Sequence, residues 1–332
     1  MMGTTFPADA FLPAFTKFDG EFTKLAGELP TWMCKDAIKY RDACLDILED
    51  WYITYNRRSE TESLSPDEKV SSVIQAVLNF SHAHGTATRD IAAFLLADMF
   101  ATQANAPPAA AWCVIKFSEN PRALARLRGE IADGVERCSG VEALLKDKEV
   151  VNGSTFEFLG SAIKETLRLV TSVASIRRVM EDTVLIPQKG TSDGVLLQKG
   201  EMIYCLIRPM HTDPTIHREA EEWIPERFMS DYRAKGEGKT VKNDWMPFGG
   251  GSSMCEGQFS VLHCGSWLIV YDTGRHFALQ ELRIFLIAFF YHFDVEPAGT
   301  QHAQIDFSRG SGAGVMPPKG DWGIRVTTRQ RD

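Results

Sequence analysis

Three short stretches carry residue types that chemistry needs. The first is WMPFGGGSSMCEG, residues 245–257, where glycines at 249, 250 and 251 precede Cys255. Glycine lets a backbone take positive φ and approach another group closely, and the amides of such a loop can turn inward toward an anion. Phosphate is one candidate anion, but no Gly-Lys-Ser/Thr follows, which weakens a nucleotide reading. A thiolate at Cys255 is the other, because a cysteine followed by Gly257 among inward amides is suited to stay deprotonated and bind iron. The second stretch is KETLR, in which Glu165 and Arg168 lie three residues apart and share one face of a helix. The third is DPTIHREAEEWIPERF, residues 213–228, whose Arg227 can reach a buried carboxylate. Each has an ordinary explanation taken singly: a core thiol, a solvated ion pair and a turn.

The elements that must position these residues are mostly helical. From Ala14 to Asn56 the apolar residues recur at helical spacing. RRSETESLSPDEK, 57–69, reads as a polar loop, with Ser65 and Pro66 restarting a helix. After His84 and Gly85 a long apolar tract starts near Thr88 and is closed by Asn120 and Pro121, followed by the amphipathic PRALARLRGEIADGVERC. TVLIP, GVLLQKGEMIYCLIR and DWGIRVTTR are the strand candidates. The predicted class is mainly α with a small antiparallel β region, and no GxGxxG follows a strand to suggest a dinucleotide fold.

Bulk properties narrow the partners. The 332 residues carry a formal net charge of −8, which disfavours nucleic acid and anionic membrane as general partners and leaves small molecules or proteins. Seven cysteines without a CxxC pair signal neither a disulfide framework nor zinc, and they suit a reducing compartment. The start, MMGTTFPADAFLPAF, does not read as a signal peptide. The tract Ile91 to Phe117 is long enough to span a bilayer. It contains Asp98, Gln103, Asn105, Pro107 and Pro108, so it reads as a buried, kinked helix.

Taken together and in this order, the three stretches resemble the cytochrome P450 superfamily, the haem-thiolate monooxygenases. That family has an ExxR helix (here Glu165 and Arg168), a PERF-type loop whose arginine completes a Glu/Arg/Arg lock (Arg227), and FxxGxxxCxG (Phe248, Gly251, Cys255, Gly257). The resemblance implies haem b as cofactor, Cys255 as axial iron ligand, Phe248 beside the sulfur, Gly249, Gly251 and Gly257 in the cofactor loop, and Arg177 at a haem propionate. FATQANAPPAAAW looks like the distal helix of the sterol 7α-hydroxylase, sterol 12α-hydroxylase and prostacyclin synthase group. Ala104 and Asn105 then stand where most relatives carry the acid and threonine that relay protons, and are the expected catalytic positions. Asn105 can hydrogen-bond but is no acid near neutral pH; alternatively, Gln103 and Asn105 satisfy carbonyls freed by the two prolines.

The resemblance further implies an apolar, sterol- or terpenoid-like substrate touching Ala101, Ala104 and the turn near Val315, and electrons from an NADPH-dependent reductase. The family is usually anchored on the cytosolic face of the endoplasmic reticulum membrane; this chain reads as lacking the anchor, which leaves a cytoplasmic location open. The expected organisation is one incomplete haem-thiolate domain over 1–332. It comprises central helices (14–84), the distal kinked helix (85–120), the ExxR helix to the cysteine loop (155–257), an insertion (258–274), and the proximal helix with a C-terminal β hairpin (275–330). Ser253 stands where the family usually has Arg or His. The insertion delays the proximal helix to Arg275, and its His263 and Cys264 read as incidental. Competing readings are an oxygen-independent isomerase or dehydratase on the same scaffold, and a non-catalytic fragment from a faulty gene model.

Overall fold

The computed structural model describes residues 2–26, 29–185, 194–234, 244–250, 254–255, 260–264, 267–271, 275–300, 302–306, 313–320 and 322–330. The chain divides into two compact units, Met1–Ala104 and Asn105–Asp332.

The first unit is helical: α1 (Ala8–Ala26), α2 (Lys35–Thr61), α3 (Ser72–Ala83) and α4 (Thr88–Gln103). Phe11, Phe15, Phe18 and Phe22 recur at helical spacing along α1, and this aromatic face packs with Leu48, Trp51, Ile91 and Leu95 in one core. The expected loop over 57–69 is only partly a loop. Helix α2 runs on to Thr61, supported by hydrogen bonds one turn apart from Asn56 to Glu60 and from Arg58 to Glu62, 2.9 Å each. Only half of a capping box forms at Ser65: the Glu68 carboxylate accepts from the Ser65 amide at 3.0 Å and hydroxyl at 2.8 Å, so the hydroxyl donates there instead of accepting a helix amide. The turn does not propagate, and α3 starts at Ser72 behind its own cap, Ser71.

The second unit begins with α5 (Ala106–Glu119) and α6 (Pro121–Cys138); the Asn120 side chain caps α6 by accepting from the Ala123 amide at 3.1 Å. Short helices α7 (Val141–Lys146) and α8 (Lys148–Asn152) lead to α9 (Glu157–Val170). Strands β1 (Thr171–Arg178), β2 (Thr183–Leu185), β3 (Val195–Leu197) and β4 (Met202–Leu206) follow, then helices α10 (Ile207–His211) and α11 (Ser230–Ala234). The chain continues through β5 (Ser260–Cys264), β6 (Trp267–Tyr271), α12 (Arg275–His292), β7 (Phe293–Pro297), β8 (Ala313–Val315) and β9 (Ile324–Thr328). The sheets are small and antiparallel: β4-β1-β8, β2-β3, β5-β6 and β7-β9. The β5-β6 hairpin lies inside the expected insertion, directly before α12.

Helix α9 is the axis of this unit. Every residue from Phe158 to Val170 except Lys164 is buried, with Phe158, Leu159 and Ile163 packing against Cys113, Phe117, Leu286 and Phe290. Its N-terminal amides at Phe158 and Leu159 are accepted by the two oxygens of Glu130, 2.8 and 3.0 Å away. A helix buried on nearly all sides forces its polar residues inward, and this positions the site. Among the described residues, no helix is long and apolar enough to cross a membrane.

Candidate functional site

Glu165 and Arg168 on α9 are both fully buried, so the solvated-pair explanation does not apply. Arg168 donates from Nε to Glu165 Oε2 at 2.7 Å and from Nη2 to Oε1 at 2.9 Å. Arg227 donates from Nε to both oxygens, at 3.0 and 3.1 Å, and the Ile224 amide adds a bond of 3.0 Å. One carboxylate thus faces two guanidinium groups. The surplus positive charge meets backbone dipoles: Arg168 donates to the carbonyls of His211, Ala220 and Glu222, and Arg227 to those of Arg218, Glu219 and Glu222. Bringing these charges out of water is costly, and the dense donor–acceptor matching offsets that cost. The stretch before PERF is therefore a set of carbonyls wrapped around two arginines, with Trp223 donating to Thr166 Oγ1 at 3.0 Å and the Phe228 amide donating to Ser161 Oγ at 2.9 Å.

The glycine loop is fastened to the same helix. Trp245 Nε1 donates to the Lys164 carbonyl at 2.9 Å, and the ring of Phe248 sits 5.9 Å from that of Trp245. The Gly249 amide donates to the Met246 carbonyl at 3.0 Å in a turn that puts Gly249 at φ 77°, and the Cys255 amide donates to the Phe248 carbonyl at 2.8 Å. Two buried histidines missed by sequence reasoning hold the loop's entry. His217 Nε2 is 3.1 Å from the Asp244 carbonyl, and His211 Nε2 is 2.9 Å from the Met246 amide. Burial lowers both imidazoles, His211 to about 3, with the nearby Arg168 charge acting in the same direction.

The remaining expected positions have local roles. Half-buried Arg177 on β1 donates to the Ile176 carbonyl at 2.8 Å and meets no carboxylate among the described residues. Asn105 is the N-cap residue of α5. Its Oδ1 accepts from the Val315 amide at 3.1 Å, a partner 210 residues away in sequence and not a carbonyl freed by the prolines. Ala104 closes α4 in the first unit and donates its amide to the Phe100 carbonyl at 3.0 Å. Gly251, Ser253 and Gly257 lie outside the described residues. The structure thus brings Glu165, Arg168 and Arg227 into one cluster and links Phe248 to Cys255.

The family model for cytochrome P450 matches residues 21–259. The chain belongs to the cytochrome P450 family. Cytochrome P450 7A1 of Sus scrofa is 30% identical over 68% of this P450 chain and 43% of its own length. Cholesterol 7-alpha-monooxygenase of Cricetulus griseus is 28% identical over 93% of the chain and 57% of its own length. Prostacyclin synthase of Rattus norvegicus is 26% identical over 78% and 49%. The chain thus spans about half the length of the curated relatives it matches. Among solved structures, retinoic acid-bound cyanobacterial CYP120A1 superposes with a TM-score of 0.66 at 18% identity, over 97% of this chain and 63% of that one, which supports the shared fold.

Proteins of this family bind haem b, and the donor set present here fits that group. The Cys255 thiol is exposed. Phe248 provides an apolar neighbour in the same loop, and Arg177 a cation with no carboxylate partner of its own among the described residues.

Proposed function

We propose that this chain is the haem-holding part of a monooxygenase that hydroxylates an apolar, sterol- or terpenoid-like small molecule, using dioxygen and electrons from an NADPH-dependent reductase. The observation that carries this reading is the buried Glu165/Arg168/Arg227 cluster, bonded to the segment that presents an exposed Cys255. Cys255 holds the iron as thiolate, Phe248 packs beside the sulfur, Arg177 meets a propionate, and Gly249, Gly251 and Gly257 let the loop approach the ring. Bound haem supplies the oxygen-activating chemistry. Glu165, Arg168 and Arg227 hold the architecture beneath it. Asn105 occupies the distal position, beside the Val315 turn that contacts substrate. The names of the 7-alpha-hydroxylating relatives support a sterol-like substrate. The expected location is the cytosolic face of the endoplasmic reticulum membrane, as for the family.

A specific observation favours a second reading. With its Oδ1 committed to Val315, Asn105 is poorly suited to pass protons, which suits an oxygen-independent isomerase or dehydratase on the same scaffold. Turnover of an organic peroxide without reductase or dioxygen would select that reading. The test of the main proposal is the spectrum of the reduced, carbon monoxide-bound protein after haem is supplied. A strongly red-shifted Soret band is the expected outcome, since it requires thiolate ligation. A colourless product would overturn the proposal in favour of a non-catalytic fragment.

A further inference from the structure

We infer that His211 is a positioning residue for the Cys255 loop: its imidazole bonds the Arg168 carbonyl on one side and the Met246 amide on the other, and so refers the loop's backbone to the buried lock. The inference rests on the reading of Cys255 as iron ligand for its purpose, but not for its geometry.

His211 is fully buried, and both ring nitrogens are used. The Met246 amide can only donate, so Nε2 must offer its lone pair to it. Nδ1, 3.1 Å from the Arg168 carbonyl, must then carry the proton, because a carbonyl can only accept. One neutral tautomer satisfies both bonds, and neither the other tautomer nor the cation does. The His211 carbonyl in turn accepts from the Arg168 guanidinium, so the residue is tied to Arg168 through both its ring and its backbone.

On the other side, the Met246 peptide is held at both polar atoms. Its amide is bonded to His211 and its carbonyl accepts from Gly249 in the turn before Phe248. The Phe248 carbonyl then accepts from the Cys255 amide. A continuous chain of bonds therefore runs from the Glu165 carboxylate through Arg168, His211 and Met246 to the residue bearing the thiol. Buried groups with discrete, saturated bonding transmit position better than solvated ones, because each alternative leaves an orphaned donor or acceptor.

Substitutions at 211 separate the two halves of the link. H211N keeps a donor where Nδ1 lies but cannot reach Met246, whereas H211Q, one methylene longer, carries its carboxamide oxygen to the Nε2 position, where it can accept from the Met246 amide. The first readout is hydrogen exchange at the Met246 amide in the haem-free full chain. In the parent protein it should exchange as slowly as the Ile224 amide in the lock; fast exchange there would overturn the inference with no variant needed. H211N should speed exchange at Met246 at least tenfold while leaving Ile224 protected, and H211Q should restore it. The second readout is the thiolate-type share of the carbon monoxide spectrum at equal haem content, expected to fall by half or more in H211N and to recover in H211Q. Equal spectra in all three would overturn the positioning role. If the parent itself shows no thiolate band, the proposed function fails, while the Met246 exchange still decides whether the link exists.

Discussion

The lock and the thiol loop are neighbours that solve opposite problems. In the lock every hydrogen-bonding group of Glu165, Arg168 and Arg227 faces a protein partner, and all three side chains are within 5% of full burial. In the loop, the Cys255 backbone is fixed by Phe248 while its thiol faces outward. A structural polar cluster must be complete on folding, since a buried charge without a partner is expensive. A ligand loop must instead hold its backbone and leave its reactive atom available. The two conditions meet at Met246, where the fully bonded region passes its order to the open one.

Removing the lock's carboxylate should break this contrast most severely. In Glu165→Ala two buried guanidinium groups lose their counter-charge, and the cost of stranding such charges is about 3–5 kcal/mol. That is a large share of the total stability of a domain. The expected result in urea titration is loss of the cooperative transition of the second unit, or its displacement to much lower denaturant. An unchanged midpoint would mean that the pairs contribute nothing beyond their own desolvation.

The contrast also explains what the sequence could reveal. The spacing of Glu165 and Arg168 puts them on one face of a helix, but solvated helices carry the same spacing. Only the PERF loop and the cysteine loop, in order, separate the two cases. The boundary between α5 and α6 is legible from its punctuation, Asn120 and Pro121, because capping chemistry is local, whereas the one kinked helix expected over 85–120 is two helices, α4 and α5, that part at Ala104 and Asn105. By contrast, His211 and His217 meet partners 35 and 27 residues away, across segments with no periodic signal. A single histidine carries no pattern, so their contribution appears only in three dimensions. The turn at Ser65 shows the converse limit: Ser65 and Pro66 read as a helix start, yet the Ser65 hydroxyl donates to Glu68 and the next helix begins only at Ser72.

Substitutions at the distal turn should have intermediate effects. Gly314 has φ 143°, and a Cβ placed there would lie 2.0 Å from Asn105 Oδ1. Gly314→Ala therefore combines backbone strain with displacement of the Asn105–Val315 bond, at a cost of about 2 kcal/mol. Thermal unfolding should show the loss. Asn105→Asp, which retains an acceptor for the Val315 amide, should disturb the turn less.

Acidification should sharpen the comparison from the histidine side. His211 has its folded-state pKa lowered to about 3 from 6.5, mainly by burial. Between those values the unfolded chain binds the extra proton and the folded chain does not, so stability falls as pH falls through this window. Going from pH 6.5 to 5, the linkage amounts to about 1.5 kcal/mol for such a histidine. His217, also lowered, adds in the same direction. Glu130 and Glu281, raised by burial, oppose it as they take up protons in the folded state. The difference between the parent and H211Q, measured by urea titration at both pH values, isolates the His211 share. Equal pH slopes would show that His211 is not held neutral.

The smallest stability effect should come from the residue with the largest functional one. Cys255→Ser changes one atom of an exposed side chain and leaves the amide free to bond the Phe248 carbonyl, so the haem-free protein should unfold within about 0.5 kcal/mol of the parent. The same substitution should abolish the thiolate-type Soret band, because a serine hydroxyl does not ionise near neutral pH to replace the sulfur. Stability and spectrum thus separate at position 255, whereas at position 165 they should fall together. If Cys255→Ser destabilised the haem-free chain as much as Gly314→Ala does, the thiol would have to be a packing element, and the division between a closed lock and an open loop would not describe this protein.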